Sequence, residues 1–114
     1  MIFSLAGAVA GCSQHSKVGM KPLTASQKSF VQIKALHERG KSREIVRKAQ
    51  DYLSAFPDED LARPVRYYLA LHTERLGDKD MARRRYEEIV KLYPKTRWSQ
   101  LARSNLKTMN RRES

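Results

Sequence analysis

The sequence of 114 residues predicts an all-α fold in which antiparallel helix pairs stack side by side. Three observations lead to this prediction. Helix-forming residues dominate from Thr24 onward, apolar positions recur with the 3.6-residue period of a helix, and Gly and Pro recur at a fixed distance. Gly40 and Gly77 are 37 residues apart, as are Pro57 and Pro94, which indicates an internal repeat. With 40% hydrophobic and 31% charged residues, the chain has room for one small domain.

The N-terminal segment is the first element. Residues 1–11 carry no charged side chain and consist of apolar or small residues, as in the apolar region of a secretory signal peptide. This run is shorter than the about 20 apolar residues that a transmembrane helix needs. The alternative is a short buried helix in which Cys12 is an ordinary small hydrophobic residue. We expect residues 1–11 to be a cleaved signal peptide and residues 12–23, which show no periodicity, to be a flexible tether.

Two helical hairpins follow the tether. Residues 26–39 and 61–76 are each predicted to form a helix that ends before a glycine, Gly40 or Gly77. Glycine suits the left-handed backbone that commonly follows a helix C-terminus. A second helix after each glycine ends near one of the two prolines, because proline cannot continue a helix.

The second helices of the two hairpins have matching apolar stripes. Residues that lie 37 positions apart form pairs that are apolar or aromatic on both sides: Ile45 with Ala82, Ala49 with Tyr86, Tyr52 with Ile89, Leu53 with Val90, and Phe56 with Tyr93. Their spacing of i, i+4, i+7, i+8 and i+11 follows one face of a helix. We therefore expect these residues to form the buried side of each helix.

The third and fifth helices have start signals of their own. The acidic residues 58–60 are predicted at the start of the third helix, where carboxylates interact favourably with the exposed N–H groups. Pro64 is tolerated in the first turn of that helix. Thr96 is predicted to cap a fifth helix, whose apolar face comprises Trp98, Leu101, Ala102, Leu106 and Met109.

These helix pairs resemble the tetratricopeptide repeat family. In the second unit, closed by Pro94, the family's leucine, turn glycine, alanine and aromatic positions are occupied by Leu69, Gly77, Ala82 and Tyr86. The first unit keeps Gly40 but is degenerate, with Gln32, Ile45 and Ala49 at the other three positions, and the period exceeds the usual 34 residues. The resemblance implies a right-handed superhelix of about two repeats plus a C-terminal capping helix, which together form one domain over residues 24–114.

The junction before the tether also resembles a known motif. Val9, Ala10 and Gly11 precede Cys12 as in the lipobox of bacterial lipoproteins. The resemblance implies that Cys12 is lipidated, becomes the mature N-terminus and anchors the chain to a membrane. Because Ser13 is not the Asp that retains lipoproteins in the inner membrane, the outer membrane, facing the periplasm, is expected. The stretch 93–102 is similar to repeats of periplasmic lipoproteins that assist outer-membrane β-barrel or pilus secretin assembly.

The repeat resemblance further implies a binding groove, because the first helices of successive hairpins line a concave surface. Carried over by position, its residues are Phe30, Lys34, Tyr67, Leu71, Glu74, Arg75, Ser104 and Thr108. Apolar and basic groups alternate there, which suits a partner segment with acidic residues. Core packing is the alternative for Phe30, Tyr67 and Leu71. We expect a protein–protein interaction scaffold of the cell envelope, with an envelope protein as partner, and association with a second copy is a further expectation because about three repeats normally complete such a core.

The charge distribution suggests a second interpretation. The net charge is +11, and residues 81–114 contribute ten Lys and Arg against three acidic residues, a balance of +7. Such a surface suits nucleic acid, anionic lipid or an acidic protein, and a solvated basic face without any anionic partner is the other alternative. The arginine runs at 83–85 and 111–112 would fit an intracellular basic helical-repeat protein that associates with nucleic acid or an acidic protein. No stacking aromatics interleave with them, and export would separate the chain from nucleic acid, so no nucleic-acid partner is expected.

No pattern for catalysis is found in the sequence. His15, His37 and His72 have no companion at metal or triad spacing, and no Gly-rich phosphate loop occurs. A single cysteine excludes an internal disulfide and a Cys-rich zinc site. Glu87 is followed four residues later by Lys91, as on a helix surface. We expect no enzymatic activity, no metal and no cofactor.

Overall fold

The computed structural model describes residues 21–113, which form five α-helices and no strand. In chain order these are α1 (Ala25–Glu38), α2 (Ser42–Ala55), α3 (Ala62–Arg75), α4 (Lys79–Leu92) and α5 (Arg97–Glu113). Each helix packs against the next, and α3 also contacts both α1 and α5. The predicted all-α fold of packed helix pairs is confirmed, and the arrangement is compatible with a helical-repeat superhelix. The predicted signal peptide at 1–11, Cys12 and residues 13–20 of the predicted tether lie outside the described residues.

Polar side chains fix the starts of three helices. Before α1, Thr24 forms a capping box with Gln27: the Thr24 hydroxyl accepts from the Gln27 N–H at 3.1 Å, and the Gln27 side chain accepts from the Thr24 N–H at 2.9 Å. Asp78 caps α4 by accepting from the Met81 N–H at 3.2 Å. The predicted cap of α5 is confirmed, since the Thr96 hydroxyl accepts from the backbone N–H of Ser99 at 3.3 Å.

Both hairpin turns depend on a glycine with a positive φ. Gly40 has φ 68° and Gly77 has φ 95°, as predicted for residues that follow a helix C-terminus. One residue further on, the Lys41 N–H donates to the Leu36 carbonyl at 3.0 Å, and the Asp78 N–H donates to the Thr73 carbonyl at 3.2 Å. These bonds satisfy carbonyls at the helix ends and reverse the chain sharply enough for the next helix to pack antiparallel.

The start of α3 lies one residue from the predicted one. The helix begins at Ala62, and the acidic residues 58–60 form a turn directly before it. The carbonyls of that turn serve as acceptors: the Ala62 N–H donates to the Glu59 carbonyl at 2.9 Å, and the Arg63 N–H donates to the Asp60 carbonyl at 3.2 Å. Backbone groups therefore replace the carboxylates that the sequence suggested as partners for the helix start. Pro64 lies in the first turn, as predicted.

The core consists of two clusters that share α3. The buried residues of the first are Ile33, Ile45, Ala49, Tyr52, Ala62, Val65 and Leu69, and those of the second are Ala70, Ala82, Tyr86, Ile89, Ala102 and Met109. Three of the predicted 37-residue pairs are buried on both sides, and the pairs of Leu53 with Val90 and of Phe56 with Tyr93 are partly buried at the edges of the clusters. Within the described part of the chain, no helix is both long and apolar enough to span a bilayer.

Candidate functional site

An open groove of about 350 Å³ lies where α3, the start of α4 and α5 meet. Its lining residues are Leu71, Glu74, Arg75, Lys79, Asn105, Thr108 and Arg112. Each of the two long walls is one face of a helix, because the α3 residues recur at i, i+3 and i+4 and the α5 residues at i, i+3 and i+7. The groove thus combines three cations and one carboxylate with the apolar side chain of Leu71.

Hydrogen bonds behind the groove hold its polar walls in place. The Tyr86 hydroxyl donates to a carboxylate oxygen of Glu74 at 2.8 Å. The amide nitrogen of Asn105 donates to the hydroxyls of both Tyr67 and Tyr86, each at 2.9 Å. The Tyr67 ring in turn packs against the rings of Tyr86 and Trp98, with centroids about 6 Å apart. Residues of α3, α4 and α5 therefore form one connected network, which restricts the rotamers of Glu74 and Asn105.

The protonation states follow from burial and charge. Burial raises the pKa of Tyr86 far above its ordinary value, and the hydrogen bond to Glu74 raises it further. The phenol therefore stays protonated and donates to the Glu74 carboxylate. The three cations of the groove, Arg75, Lys79 and Arg112, outnumber this carboxylate, so the groove carries a net positive charge.

The residues predicted for the groove separate into three groups in the structure. Leu71, Glu74, Arg75 and Thr108 line the groove described above. Tyr67 lies behind it in the aromatic cluster, and Phe30 packs against the first core cluster with its ring 6.3 Å from that of Tyr68. Lys34 and Ser104 are exposed residues outside the groove lining.

Three groove residues were missed by the sequence analysis. Lys79 and Asn105 carry no motif of their own, and Arg112 belongs to an arginine run that looked like an exposed basic surface. Asn105 lies on the same side of α5 as Ala102, Leu106 and the buried Met109. An amide on the apolar side of an amphipathic helix needs a hydrogen-bond partner there, and this was the sequence signal that could have identified Asn105.

The fold brings together two of the histidines that show no companion at metal or triad spacing in the sequence. His37 and His72 face each other with Nδ1 and Nε2 2.9 Å apart, and the other ring nitrogen of His72 lies 2.8 Å from the Ser42 hydroxyl. His37 also stacks on Tyr68 at 4.6 Å between ring centroids. The partners are 30 and 35 residues apart in sequence, so only the packing of α1, α2 and α3 brings them together.

Burial determines the chemistry of this histidine pair. His72 is fully buried, and burial lowers its pKa to about 4, with the positive charge of Arg75 acting in the same direction. Burial also lowers the pKa of His37. A neutral imidazole has one donor and one acceptor, which matches the two partners of His72. With such a low pKa His72 is a weak base for activating Ser42, and the cluster acts as a polar link between three helices.

Among residues 21–113, no group of three or more His, Cys, Asp or Glu side chains is placed to hold a metal ion. No known protein family, curated protein or solved structure shows a significant match to this chain. The cationic groove between α3 and α5 is therefore the candidate functional site, on the basis of its geometry and charge.

Proposed function

We propose that this chain is a bacterial lipoprotein, anchored through Cys12, whose helical domain is a protein–protein interaction scaffold in the cell envelope. The apolar residues 1–11 and the lipobox-like residues before Cys12 support the anchor. The stacked helix pairs support a binding role, since such folds present extended surfaces to partners. The observation that carries the proposal is the open cationic groove, whose polar walls are held by the Tyr86 and Asn105 hydrogen bonds.

The chemistry of the groove selects the kind of partner. Arg75 and Arg112 are suited to bidentate contacts with carboxylates, and Lys79 adds a third cation at the rim. Leu71 offers an apolar contact, and the engaged Glu74 carboxylate disfavours a second carboxylate directly above it. An open groove of this size suits a few side chains of an extended or helical segment. The expected ligand is a protein segment that combines acidic residues with an apolar one.

The place of action follows from the anchor. A lipidated Cys12 followed by Ser13 favours the outer membrane, with the helical domain facing the periplasm. There the domain would hold an envelope protein during outer-membrane or secretion-complex assembly. The two hairpins and one further helix that residues 21–113 form are fewer than the about three repeats that usually bury a continuous core, so association with a second copy is part of the proposal.

Charge reversal in the groove tests the proposal. Arg75→Glu combined with Arg112→Glu should weaken capture of the envelope partner at least tenfold, because attraction to acidic side chains becomes repulsion. The matched control is Arg43→Glu with Arg47→Glu, which reverses two exposed arginines of α2 and changes the net charge by the same amount. Pull-downs from solubilised envelopes measure capture, and circular dichroism verifies that helical content is unchanged.

A photo-crosslinking side chain adds a positional readout. Placed at Thr108 in the groove it should form adducts with the partner, whereas at the exposed Ser54 of α2 it should not. The groove is not the binding site if the reversed-charge variant and the Thr108 probe behave like their controls, or if only the α2 control loses the partner.

A further inference from the structure

The exposed face of α5 carries cations and no carboxylate. At about 100° per residue, its members fall within about 120° of the helix circumference. They are Arg97, Gln100, Arg103, Ser104, Lys107 and Arg111, all of them exposed. This set of six is called the basic stripe below, and its four cations span about 21 Å at about 1.5 Å per residue. Arg103, Lys107 and Arg111 follow one another at i, i+4 and i+8.

This face differs from the exposed faces of α1, α2 and α4. There, acids share the exposed surface with the cations, as in the pairs four residues apart Lys34 and Glu38 in α1, Arg47 and Asp51 in α2, and Glu87 and Lys91 in α4. The acidic residue of α5, Glu113, lies at the helix end and is bonded to Arg83 of α4 at 2.6 Å. Side chains of like charge at i and i+4 destabilise a helix. A surface with charges of both signs would keep the domain soluble equally well, so neither helix stability nor solubility accounts for the row of cations. The stripe therefore indicates an anionic partner.

We propose that the basic stripe docks the domain on the anionic headgroups of a phospholipid surface. Its remaining members, Gln100 and Ser104, are polar, so the stripe offers no apolar or aromatic anchor of the kind that dominates protein interfaces. The half-buried Trp98 beside the stripe packs toward the Tyr67 ring and lies under the Arg97 guanidinium, 5.0 Å from the ring centroid, so the stripe presents no exposed aromatic face on which single-stranded nucleic acid could stack. A headgroup layer requires only cations that lie along a plane, which a straight helix face supplies.

Docking through the stripe leaves the groove accessible. The groove residues of α5, Asn105, Thr108 and Arg112, lie roughly 110° around the helix from the centre of the stripe. When the basic stripe lies on a membrane, the groove therefore opens roughly parallel to the membrane surface, where a partner can reach it. The significance of this groove orientation rests on the proposed function, because it assumes that the groove binds a partner. The docking of the basic stripe on anionic lipid does not rest on it.

Vesicle binding tests the docking in the full chain with Cys12→Ser, which cannot be lipidated. Partition is compared between pure phosphatidylcholine vesicles and vesicles with about one third phosphatidylglycerol at low salt. The measured quantity is the ratio of the two partition coefficients, which cancels contributions to binding that do not depend on lipid charge. Arg103→Gln, Lys107→Gln and Arg111→Gln together should lower that ratio about a hundredfold, at about fivefold per cation.

The matched control removes three exposed cations elsewhere, by Lys28→Gln, Arg43→Gln and Arg47→Gln. It lowers the net charge equally and should reduce the ratio far less. Equal losses in the two variants would mean that only net charge matters and would overturn the proposal, as would a wild-type ratio near one. Binding to a short DNA duplex at an ionic strength where vesicle binding is lost would instead identify a nucleic-acid surface and also overturn it.

A fluorescent probe reports which face meets the bilayer. The sequence has one cysteine, so the Cys12→Ser chain accepts a single label at Gln100→Cys, within the stripe, or at Ser54→Cys on α2. Anionic vesicles should change the emission of the first probe and leave the second unchanged, and the reverse result contradicts the docking. These measurements involve neither lipidation nor the groove, so their failure is distinct from a failure of the proposed function.

Discussion

At the scale of single residues, buried polar side chains join helices that are distant in sequence. Ser42, His72 and His37 link α2, α3 and α1, and Asn105 links α5 to the tyrosines of α3 and α4. A buried polar group is costly without a partner, so each link favours one relative position of its helices over alternatives with apolar contacts alone. The first link also makes the stability of the fold depend on pH.

Stability should fall as the pH drops from 6.5 toward 4. The pKa of His72 is lowered from 6.5 to about 4 in the folded chain, so the unfolded chain binds the proton first in this range. The unfolding free energy is then unaffected above about pH 7 and decreases by up to about 3 kcal/mol by pH 4. Urea unfolding at pH 7.5, 6 and 5 measures the slope. His72→Gln should lower stability at pH 7.5 and flatten the slope, and an unchanged slope would assign the effect to other groups.

At the scale of helices, the two repeats exchange large and small residues at the same register. Ile45 and Ala49 of α2 correspond to Ala82 and Tyr86 of α4, and all four are fully buried. A smaller residue at one position is thus accompanied by a larger one a turn later, which keeps the core filled. The exchange also places Tyr86 in the second repeat, where its hydroxyl is hydrogen-bonded to Glu74 and Asn105 behind the groove.

How far the sequence predicts the molecule depends on how local the signals are. The helices predicted at 26–39 and 61–76 begin and end within one residue of α1 and α3, because caps, glycines and apolar periodicity act within a turn or two. At the start of α3, carbonyl oxygens accept in place of the expected carboxylates, because both kinds of oxygen can accept from the N–H groups of a helix start. The contact of His37 with His72, and the place of Asn105 in the groove, depend on how helices pack, which no local pattern specifies.

Truncation of a fully buried residue of α4 should cost more than truncation of a partly buried residue of α2. Tyr86→Ala removes a fully buried ring and leaves Glu74 and Asn105 without a shared partner, so we expect a loss of about 3 to 5 kcal/mol. Leu53→Ala, at a partly buried site, should cost about 2 kcal/mol. Val31, which is 53% exposed, is the control, and its change to Ala should stay within about 0.5 kcal/mol. Denaturant unfolding that ranks the three variants otherwise would contradict the repeat register.

At the scale of the whole molecule, α5 contributes to both proposed surfaces. One side lines the groove through Asn105, Thr108 and Arg112, and the exposed side bears the basic stripe. The residues on this outer side are exposed, so it is available for a different contact. Under the two proposals taken together, lipid chains on Cys12 would attach the domain to the membrane and the basic stripe would orient it.

The predicted lipid anchor on Cys12 determines the cellular location in which the groove and the basic stripe would act, so both proposals for the place of action depend on it. Cys12→Ala should release the chain from membranes at physiological salt, because the lipid chains supply most of the apolar burial and the stripe alone binds weakly and with strong salt dependence. Mass spectrometry of the wild-type chain from the membrane fraction should find residue 12 at the N-terminus with acyl chains attached, and density gradients should place it with outer membranes. If the Cys12→Ala chain still pellets with membranes washed at high salt, and no lipid mass is found on Cys12, the chain is not a lipoprotein. The retained residues 1–11 would then be the segment that holds it there.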